Sequence, residues 1–394
     1  MNVKISTLVE SLTPSGIRAF FDLVLTMDDV ISLGVGEPDF KTPWHISRYA
    51  IQKIEDGFTT YVSNSGLLEL RQEIAKYLKN TYQLHYVPED EVLITVGVSE
   101  GVDLALRALT NPGDEFLIHE PCYVSYKPTI LLAGGSCRVI RTVMDNGFKL
   151  TPEMIESACG PKTKGLIFNY PCNPTGTTYS KDELEKLAKM IEKKKLFLIS
   201  DEIYHQLSYD QEHISIASFP GMQDRVLLLN GFSKGYAMTG WRIGYACGPK
   251  PLIAAMTKIH QYTMLCAPIM GQFAAMEALR HGEDAVTAMR EEYKKRRNFI
   301  VKRLNDIGFS CHKPGGAFYV FPEIPKAFQS SVQFANELLK EERVAVVPGS
   351  AFSNGDKHIR ISYASSMEKL QEAVKRIEHF IKNHSLVTRR DRQC

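Results

Sequence analysis

Apolar and polar residues alternate in two ways along the middle of the chain. Short apolar runs, typical of buried strands, are separated by longer segments in which apolar residues recur every three or four positions, as in amphipathic helices. The pattern predicts strands at 92–96, 116–118, 138–143, 165–169, 196–200, 226–229 and 243–247. It predicts covering helices at 99–108, 181–195 and 249–260. Such alternation indicates an α/β fold with a mostly parallel, seven-stranded sheet covered by helices.

The pattern changes beyond about residue 282. One long charged helix is predicted over 283–308, followed by shorter strands, another helix and an amphipathic helix over 367–382. The N-terminal segment precedes the alternating region and ends at the turn GVGEPDF, so we expect it to pack on this C-terminal part. The prediction is a large domain over 36–285 and a smaller α+β domain formed by 1–35 and 286–394.

Composition limits the classes of function. The 47 Lys and Arg residues nearly balance the 45 Asp and Glu residues, which argues against a nucleic-acid partner. The eight cysteines stand singly, without a CxxC pair or a histidine at metal-ligand spacing, so we expect reduced thiols and no metal site. Neither a signal peptide nor an apolar stretch of about 20 residues is visible, so a cytoplasmic protein without membrane contact is expected.

The segment VLLLNGFSKGYAMTGWRIGY carries the most informative lysine. An apolar strand runs into a turn of small residues that holds Lys234. Most lysines after strands are solvated and have no function, so position alone carries little weight. Lysine forms imines with an aldehyde cofactor, however, and such a cofactor also needs an acidic partner for its pyridine nitrogen and a site for its phosphate.

Other segments supply these partners. Asp201 closes an apolar strand and is expected at the carboxyl edge of the sheet, where it could keep a pyridine nitrogen protonated. Asn173 in NYPCNPTG and Tyr204, three residues after Asp201, could both hydrogen-bond a phenolic oxygen. An exposed turn aspartate is the alternative reading of Asp201.

A phosphate and a carboxylate also have candidate partners. The strand VLITV ends at a glycine that opens a helix, so the amides of Val98, Ser99 and Glu100 could hold a phosphate. Arg242 could add donors to that phosphate, and Arg360, on a predicted strand, could bind a substrate carboxylate through two hydrogen bonds. Taken alone, each arginine would more often form a surface ion pair.

Taken in order, these motifs resemble those of the class I and II aminotransferases, pyridoxal 5′-phosphate enzymes of the aspartate aminotransferase fold. The resemblance covers nearly the whole chain, through the motifs GEPDF, TYVSNSGLLELR, GVSEG, PCYVSY, NYPCNPTG, SDEIY, NGFSKGYAMTGWRIGY, KPGGAFYVFP, VAVVPGSAF and HIRISYA. The most specific feature is the order of DEIY, the lysine of SK and the arginine of WRIG, because each motif alone is weak.

The resemblance implies a role for each candidate around the cofactor ring. Lys234 would be the Schiff-base lysine, and Asp201 would pair with the pyridine nitrogen. Asn173 and Tyr204 would contact the phenolic oxygen, with Asn173 also close to the substrate. Tyr123 would stack on the ring.

The resemblance also implies shared sites in a homodimer. Arg242 and the amides around Ser99 would hold the phosphate, and Tyr61 would reach the phosphate in the neighbouring subunit's site. Arg360, beside Gly36, would bind the α-carboxylate of the substrate.

Two positions depart from the pattern of many relatives. Gly231 stands where many have a serine that contacts the phosphate, and Ser233 could take over that contact. Tyr123 replaces a tryptophan of some aspartate-specific members. The aromatic residues Phe20, Phe21, Tyr61, Tyr123 and Tyr262 could line a side-chain pocket, although aromatic residues at such spacing are more often core.

The expected activity is transfer of an amino group from an L-amino acid to a 2-oxo acid, with 2-oxoglutarate as acceptor and ping-pong kinetics. Aromatic or aspartate-like substrates are slightly favoured, and alanine or an acylated diaminopimelate remains open. The main alternative is a carbon–sulfur β-lyase on the same fold, which would use the same lysine. A non-catalytic regulator lacks support because no helix-turn-helix segment is fused to the chain, and no GxGxxG motif indicates a nicotinamide enzyme.

Overall fold

The computed structural model describes residues 3–13, 27–352 and 355–390, without the side chains of 385–390. Phe20, Phe21 and the rest of the segment 14–26 lie outside the described residues. The helices are α1 (Thr7–Ser11), α2 (Trp44–Glu55), α3 (Leu68–Tyr82), α4 (Gly97–Leu109), α5 (Tyr126–Leu132), α6 (Pro152–Ala158), α7 (Lys181–Lys193), α8 (Lys250–Thr263), α9 (Ile269–His281), α10 (Glu283–Asp306), α11 (Ser331–Glu342) and α12 (Met367–Arg390). None of these described helices is long and apolar enough to cross a membrane.

A seven-stranded sheet forms the centre of the larger part of the molecule. The strands are β1 (Ile31–Ser32), β2 (Val92–Thr95), β3 (Glu115–Glu120), β4 (Ser136–Arg141), β5 (Thr163–Asn169), β6 (Phe197–Asp201), β7 (Val226–Gly231), β8 (Gly244–Cys247), β9 (Tyr319–Val320), β10 (Val344–Ala345), β11 (Val347–Pro348) and β12 (Ile359–Ser362). The large sheet has the order β2-β8-β7-β6-β5-β3-β4, and β8 runs antiparallel to the other six strands. The predicted fold class and all seven predicted strands are confirmed.

The apolar runs form strands because both faces of the sheet are covered. Leu198 and Leu228 face a core built with α3, α7 and α9, whereas Ile199 and Leu227 face a core built with α4 and α8. Each such side chain is fully buried and stabilises the fold by about 1.5–3 kcal/mol. Two buried faces also explain why these strands are apolar throughout instead of alternating.

The C-terminal part is a smaller layer beyond α10. An antiparallel sheet of order β11-β12-β9 packs with α11 and α12 around a separate core. The short strand Ile31–Ser32 pairs in parallel with Val344–Ala345 of this part. Helix α1 instead lies against α5, which covers the large sheet. A domain boundary near residue 285 stays a prediction, because α10 contacts elements of both parts.

A buried arginine joins α10 to the segment that follows β6. Arg297 is completely buried, and its two terminal nitrogens donate to the carboxylate of Asp210 over 2.7 and 3.0 Å. It also donates to the carbonyl of Pro314 and lies over the ring of Tyr209. These contacts lower the pKa of Asp210, since the hydrogen bond from Arg297 favours the charged carboxylate.

Replacing Arg297 by methionine is expected to lower the free energy of unfolding by about 2 kcal/mol, because it removes the hydrogen bonds of a buried guanidinium to Asp210 and to the carbonyl of Pro314. Urea denaturation measures this change. Lys313→Ala is the matched control, since Lys313 contacts the same carboxylate from a half-exposed position, and its loss should cost less than about 1 kcal/mol. An equal decrease in the free energy of unfolding in the two variants would contradict the larger contribution expected from Arg297.

Candidate active site

Most of the predicted site residues gather around one cavity of about 530 Å³ at the carboxyl edge of the large sheet. The lining includes the predicted residues Gly36, Val98, Ser99, Tyr123, Asn173, Asp201, Tyr204, Ser233, Lys234, Arg242 and Arg360. They converge because parallel strands end on the same side. Asn169 at the end of β5 pairs with Asp201 at the end of β6, so the loops after these strands meet at the cavity.

Lys234 places a partly buried amine in the cavity. Its Nζ donates a hydrogen bond to the carbonyl of Gly36 over 2.7 Å and lies over the rings of Tyr204 and Phe318. Burial lowers the pKa of Lys234 to about 8, against the pull of the nearby Glu37 carboxylate. A large fraction of this amine is therefore neutral, and nucleophilic, near pH 8.

Asp201 presents a buried carboxylate to the same cavity. Oδ2 accepts a hydrogen bond from the hydroxyl of Tyr126 over 2.7 Å, and Oδ1 accepts one from the amide of Ile203 over 3.1 Å. Burial raises the pKa of Asp201 to about 6, while the hydrogen bonds from Tyr126 and Ile203 oppose that rise. The carboxylate is thus prepared for a cationic partner, which would stabilise its charged form further.

The segment from Asp201 to His205 has two faces. Asp201 and Tyr204 face the cavity, whereas Glu202 and His205 point into the protein. The Glu202 carboxylate accepts hydrogen bonds from the hydroxyls of Tyr170, Ser200 and Ser215 and contacts His213 Nε2 at 2.7 Å. His205 contacts Asn230 and Tyr77, and burial lowers its pKa to about 3. This buried network fixes the backbone that carries Asp201 and Tyr204.

Arg360 places a buried positive charge opposite Lys234. Its Nη1 donates to Asn173 Oδ1 over 3.0 Å and its Nη2 to the carbonyl of Gly34 over 2.6 Å, while the guanidinium lies 4.6 Å from the ring of Tyr319. Nε is buried and has no hydrogen-bond partner among the described residues. Because its partners are neutral and burial is costly for a lone charge, this arginine is suited to an anionic ligand.

An anion site lies at the start of α4. Val98 and Ser99 line the cavity at this helix N-terminus, where backbone N–H groups and the helix dipole favour negative charge. The Arg242 guanidinium lies beside them and donates to the carbonyls of Thr239 and Val96. A helix start and an arginine fork facing one cavity are a combination that suits a phosphate.

Three glycines allow this helix start to rest on the strands below it. A Cβ on Gly231 would lie 2.9 Å from Gly244 Cα, and a Cβ on Gly244 would lie 2.7 Å from the carbonyl carbon of Gly97. Gly97 has φ +73°, and a Cβ there would lie 2.6 Å from Arg242 Nη2. This glycine column leaves no room for a serine at 231, whereas Ser233 does line the cavity.

Two predicted cofactor residues do not line this cavity. The Glu100 side chain turns to the amide of Val96 and to His260. Tyr61 is 82% exposed and lies on the surface of its own chain.

Sequence reasoning missed several residues that do line the cavity. Tyr126, Tyr319, Glu37 and Thr239 are all present, and Thr239 donates a hydrogen bond to Glu37. Each lies in a motif quoted above, namely Glu37 in GEPDF, Tyr126 in PCYVSY, Thr239 in NGFSKGYAMTGWRIGY and Tyr319 in KPGGAFYVFP, so membership of a motif was the signal that could have found them. Within the described part of the chain, no group of three His, Cys, Asp or Glu side chains could hold a metal ion.

Comparison with known proteins identifies the class. The model of the family "Aminotransferase class I and II" matches residues 28–377, and the chain belongs to this family. Bacillus subtilis (strain 168) YugH, whose name assigns it to the aminotransferases, is 50% identical over 97% of this chain and 99% of its own length. An aspartate aminotransferase of Pyrococcus abyssi is 43% identical over 96% of this chain and 98% of its own.

The fold agrees with this assignment. The crystal structure of an aromatic aminotransferase from Pyrococcus horikoshii OT3 superposes with a TM-score of 0.89 at 42% identity, covering 93% of this chain and all (100%) of that one. The chain is therefore an aminotransferase, in agreement with the sequence prediction. Enzymes of this family use pyridoxal 5′-phosphate.

Lys234 is expected to react with an aldehyde at lower pH than other lysines, because only the neutral amine attacks and burial lowers its pKa to about 8. Reductive methylation of the cofactor-free protein with formaldehyde, followed by mass spectrometry of the peptides, should show Lys234 labelling rise between pH 7 and about pH 9. Lys250 is the internal control, since its hydrogen bond with Asp90 raises its pKa. The same pH profile at both lysines would contradict the expectation.

Proposed function

We propose that this aminotransferase binds pyridoxal 5′-phosphate covalently through Lys234 and moves amino groups from L-amino acids to 2-oxo acids by a ping-pong mechanism, with 2-oxoglutarate as acceptor. The observation that carries the proposal is the meeting of a partly buried amine, a buried carboxylate and an anion site in one cavity. Lys234, Asp201 and the start of α4 with Arg242 supply these three parts.

The residues of the cavity fit the cofactor part by part. When bound, pyridoxal 5′-phosphate supplies an aldehyde that condenses with amines and a protonated ring that accepts electrons from the substrate α-carbon. Asp201 would hold the proton on the ring nitrogen, and Tyr123 would cover the ring face. Arg242 and the amides of Val98 and Ser99 would bind the phosphate. Asn173 and Tyr204 would contact the phenolic oxygen.

Lys234 and Arg360 would then act on the amino acid. Arg360 would bind the α-carboxylate through its guanidinium, beside Asn173, and so fix the position of the α-carbon. Lys234 Nζ would take the proton from that carbon, because its lowered pKa leaves a neutral amine available near pH 8. The same residues would serve the returning 2-oxo acid in the reverse direction, which gives ping-pong kinetics.

The charges of the cavity bear on substrate choice. The cations that line it in the described part of the chain are Lys234, Arg242 and Arg360, and each has a proposed role. A second carboxylate, as in aspartate or 2-oxoglutarate, would need a further cation from elsewhere in the assembly. Tyr123 and Tyr319 line the cavity and suit an aromatic side chain. We therefore place aromatic amino acids first and aspartate second as donors.

The surface supports a homodimer with shared sites. Tyr61 and Tyr262 are 82% and 83% exposed, and Trp44 is 69% exposed. Asn64 donates a hydrogen bond to the carbonyl of Leu265, which joins the segment of Tyr61 to that of Tyr262. Large aromatic side chains this exposed are typical of a surface that a partner covers. A second copy would bury them and bring Tyr61 to its neighbour's phosphate site.

A cytoplasmic location is part of the proposal. The seven described cysteines are all free. Free thiols suit a reducing compartment, where pools of amino acids and 2-oxo acids are also available.

The absorption spectrum of the purified protein tests the proposed function. An amino acid alone should convert a near-visible cofactor band into a pyridoxamine-like band, and a 2-oxo acid should restore the first band. Tyrosine or phenylalanine is expected to react faster than aspartate. Lys234→Ala should lose the conversion by at least about a thousandfold, since no other amine is placed to move the proton.

Lys250→Ala, which removes an exposed lysine, is the matched control and should behave like the unaltered protein. A protein that remains colourless after soaking with the cofactor would contradict the proposal. Steady release of ammonia and pyruvate from cystathionine without a 2-oxo acid would instead indicate the carbon–sulfur lyase, which no present observation favours.

Tyr126→Phe tests the role of Asp201. The hydrogen bond from Tyr126 lowers the pKa of Asp201 against the effect of burial, so its loss should raise that pKa further above about 6. Asp201 would then be charged only at higher pH, and the dissociation constant for pyridoxal 5′-phosphate should rise about tenfold at pH 6 and less at pH 8. A parallel loss at both pH values would argue against an electrostatic role for Tyr126.

A further inference from the structure

Glu100 holds the turn that leads into α4, although it does not face the cavity. Its Oε2 accepts a hydrogen bond from the amide of Val96, the residue before the helix, over 2.5 Å. Its Oε1 lies 2.7 Å from His260 Nδ1. The side chain of Glu100 is 9% exposed and that of His260 is fully buried. A buried carboxylate placed in this way needs both partners.

Val96 connects Glu100 to the anion site. The amide of Val96 is held by Glu100, while its carbonyl accepts from Arg242 Nη2 at 3.5 Å. The next residue, Gly97, has φ +73°, so the chain turns sharply from β2 into α4 at this point. The direction of the amides of Val98 and Ser99 depends on that turn. Glu100 therefore acts on both sides of the anion site, the helix start and Arg242, through one residue, Val96.

His260 fixes Glu100 from a second helix. It lies on α8, which packs against α4, and its Nδ1 is directed at the carboxylate. His260 Nε2 is buried without a partner among the described residues, so Nδ1 is the atom through which this side chain acts. The carboxylate oxygens consequently point away from the cavity. This orientation keeps the negative charge of Glu100 from lying directly against a bound phosphate.

We propose that Glu100, held by His260, is a positioning residue for phosphate binding: it orients the start of α4 and Arg242 toward the phosphate of the cofactor without contacting it. The inference rests on the proposed function, since it assumes that the phosphate of pyridoxal 5′-phosphate occupies this anion site. Glu100 would strengthen phosphate binding by orienting its neighbours and not by its charge, because a carboxylate by itself repels a phosphate.

Comparison of two ligands isolates the phosphate contribution. The full-length protein, freed of cofactor, is titrated with pyridoxal 5′-phosphate and with pyridoxal, which has the same ring and aldehyde but no phosphate. Glu100→Ala is expected to raise the dissociation constant for pyridoxal 5′-phosphate about tenfold while changing that for pyridoxal less than about twofold. The quantity compared is the ratio of the dissociation constant for pyridoxal 5′-phosphate to that for pyridoxal. Arg242→Ala removes a proposed phosphate ligand, so it should raise this ratio and thereby validate it as a measure of phosphate binding.

Two further variants separate position from charge and from stability. Glu100→Gln keeps an acceptor for Val96 and an amide for His260, so it should retain a ratio within about twofold of the unaltered protein. Glu183→Ala is the matched control, because Glu183 accepts from the backbone amide of Ser180 at the start of α7, away from the cavity. It should affect thermal stability but leave both dissociation constants unchanged.

Each outcome decides the inference. The positioning role is overturned if the ratio of the two dissociation constants is unchanged in Glu100→Ala. It is also overturned if the ratio rises equally in the alanine and glutamine variants. If Glu100→Ala does not fold, an unchanged ratio in His260→Ala overturns it instead. Failure of the unaltered protein to bind either ligand would refute the proposed function itself, which is a different result.

Discussion

Removal of water from charged groups is the condition on which the active site depends. Asp201 and Arg360 are buried and Lys234 is partly buried in one cavity, and none is neutralised by a close opposite charge among the described residues. Burial pushes the pKa of the lysine down and that of the aspartate up, so both groups approach the pH range in which they can exchange protons. Burial of these charged groups is unfavourable, and the apolar side chains buried in the two large cores offset it.

The buried network behind the cavity maintains that arrangement. Asp201 and Tyr204 lie on one side of a short segment whose other side is held by Glu202 and His205. Because adjacent residues face opposite ways, a hydrogen bond made deep in the protein constrains a side chain in the cavity. Glu100 and His260 stand in the same relation to the start of α4. The groups proposed to touch the cofactor are thus supported by polar residues that do not touch it.

The sequence predicted the strands well because each is buried on both faces and therefore apolar. It also brought Lys234 and Asp201 together, since residues after parallel strands meet at one edge, and the antiparallel β8 begins beside Arg242 at that same edge. It did not predict Tyr126, Tyr319 or the Glu37 and Thr239 pair, whose positions depend on loop paths and on contacts between distant segments. The position of α1 beside α5 was missed for the same reason, because the sequence of a short helix does not indicate which element it packs against.

The glycine column shows how closely the parts of this site are packed. Gly231, Gly244 and Gly97 come from three separate elements, and a Cβ on Gly231 would meet Gly244, while one on Gly244 would meet Gly97. A side chain at Gly231 or Gly244 would displace a neighbouring strand or the start of α4, and one at Gly97 would displace the Arg242 guanidinium. Backbone alone therefore separates the centre of the sheet from the anion site, so a larger residue at Gly231 or Gly244 would shift the groups that face the cavity as well as the strands.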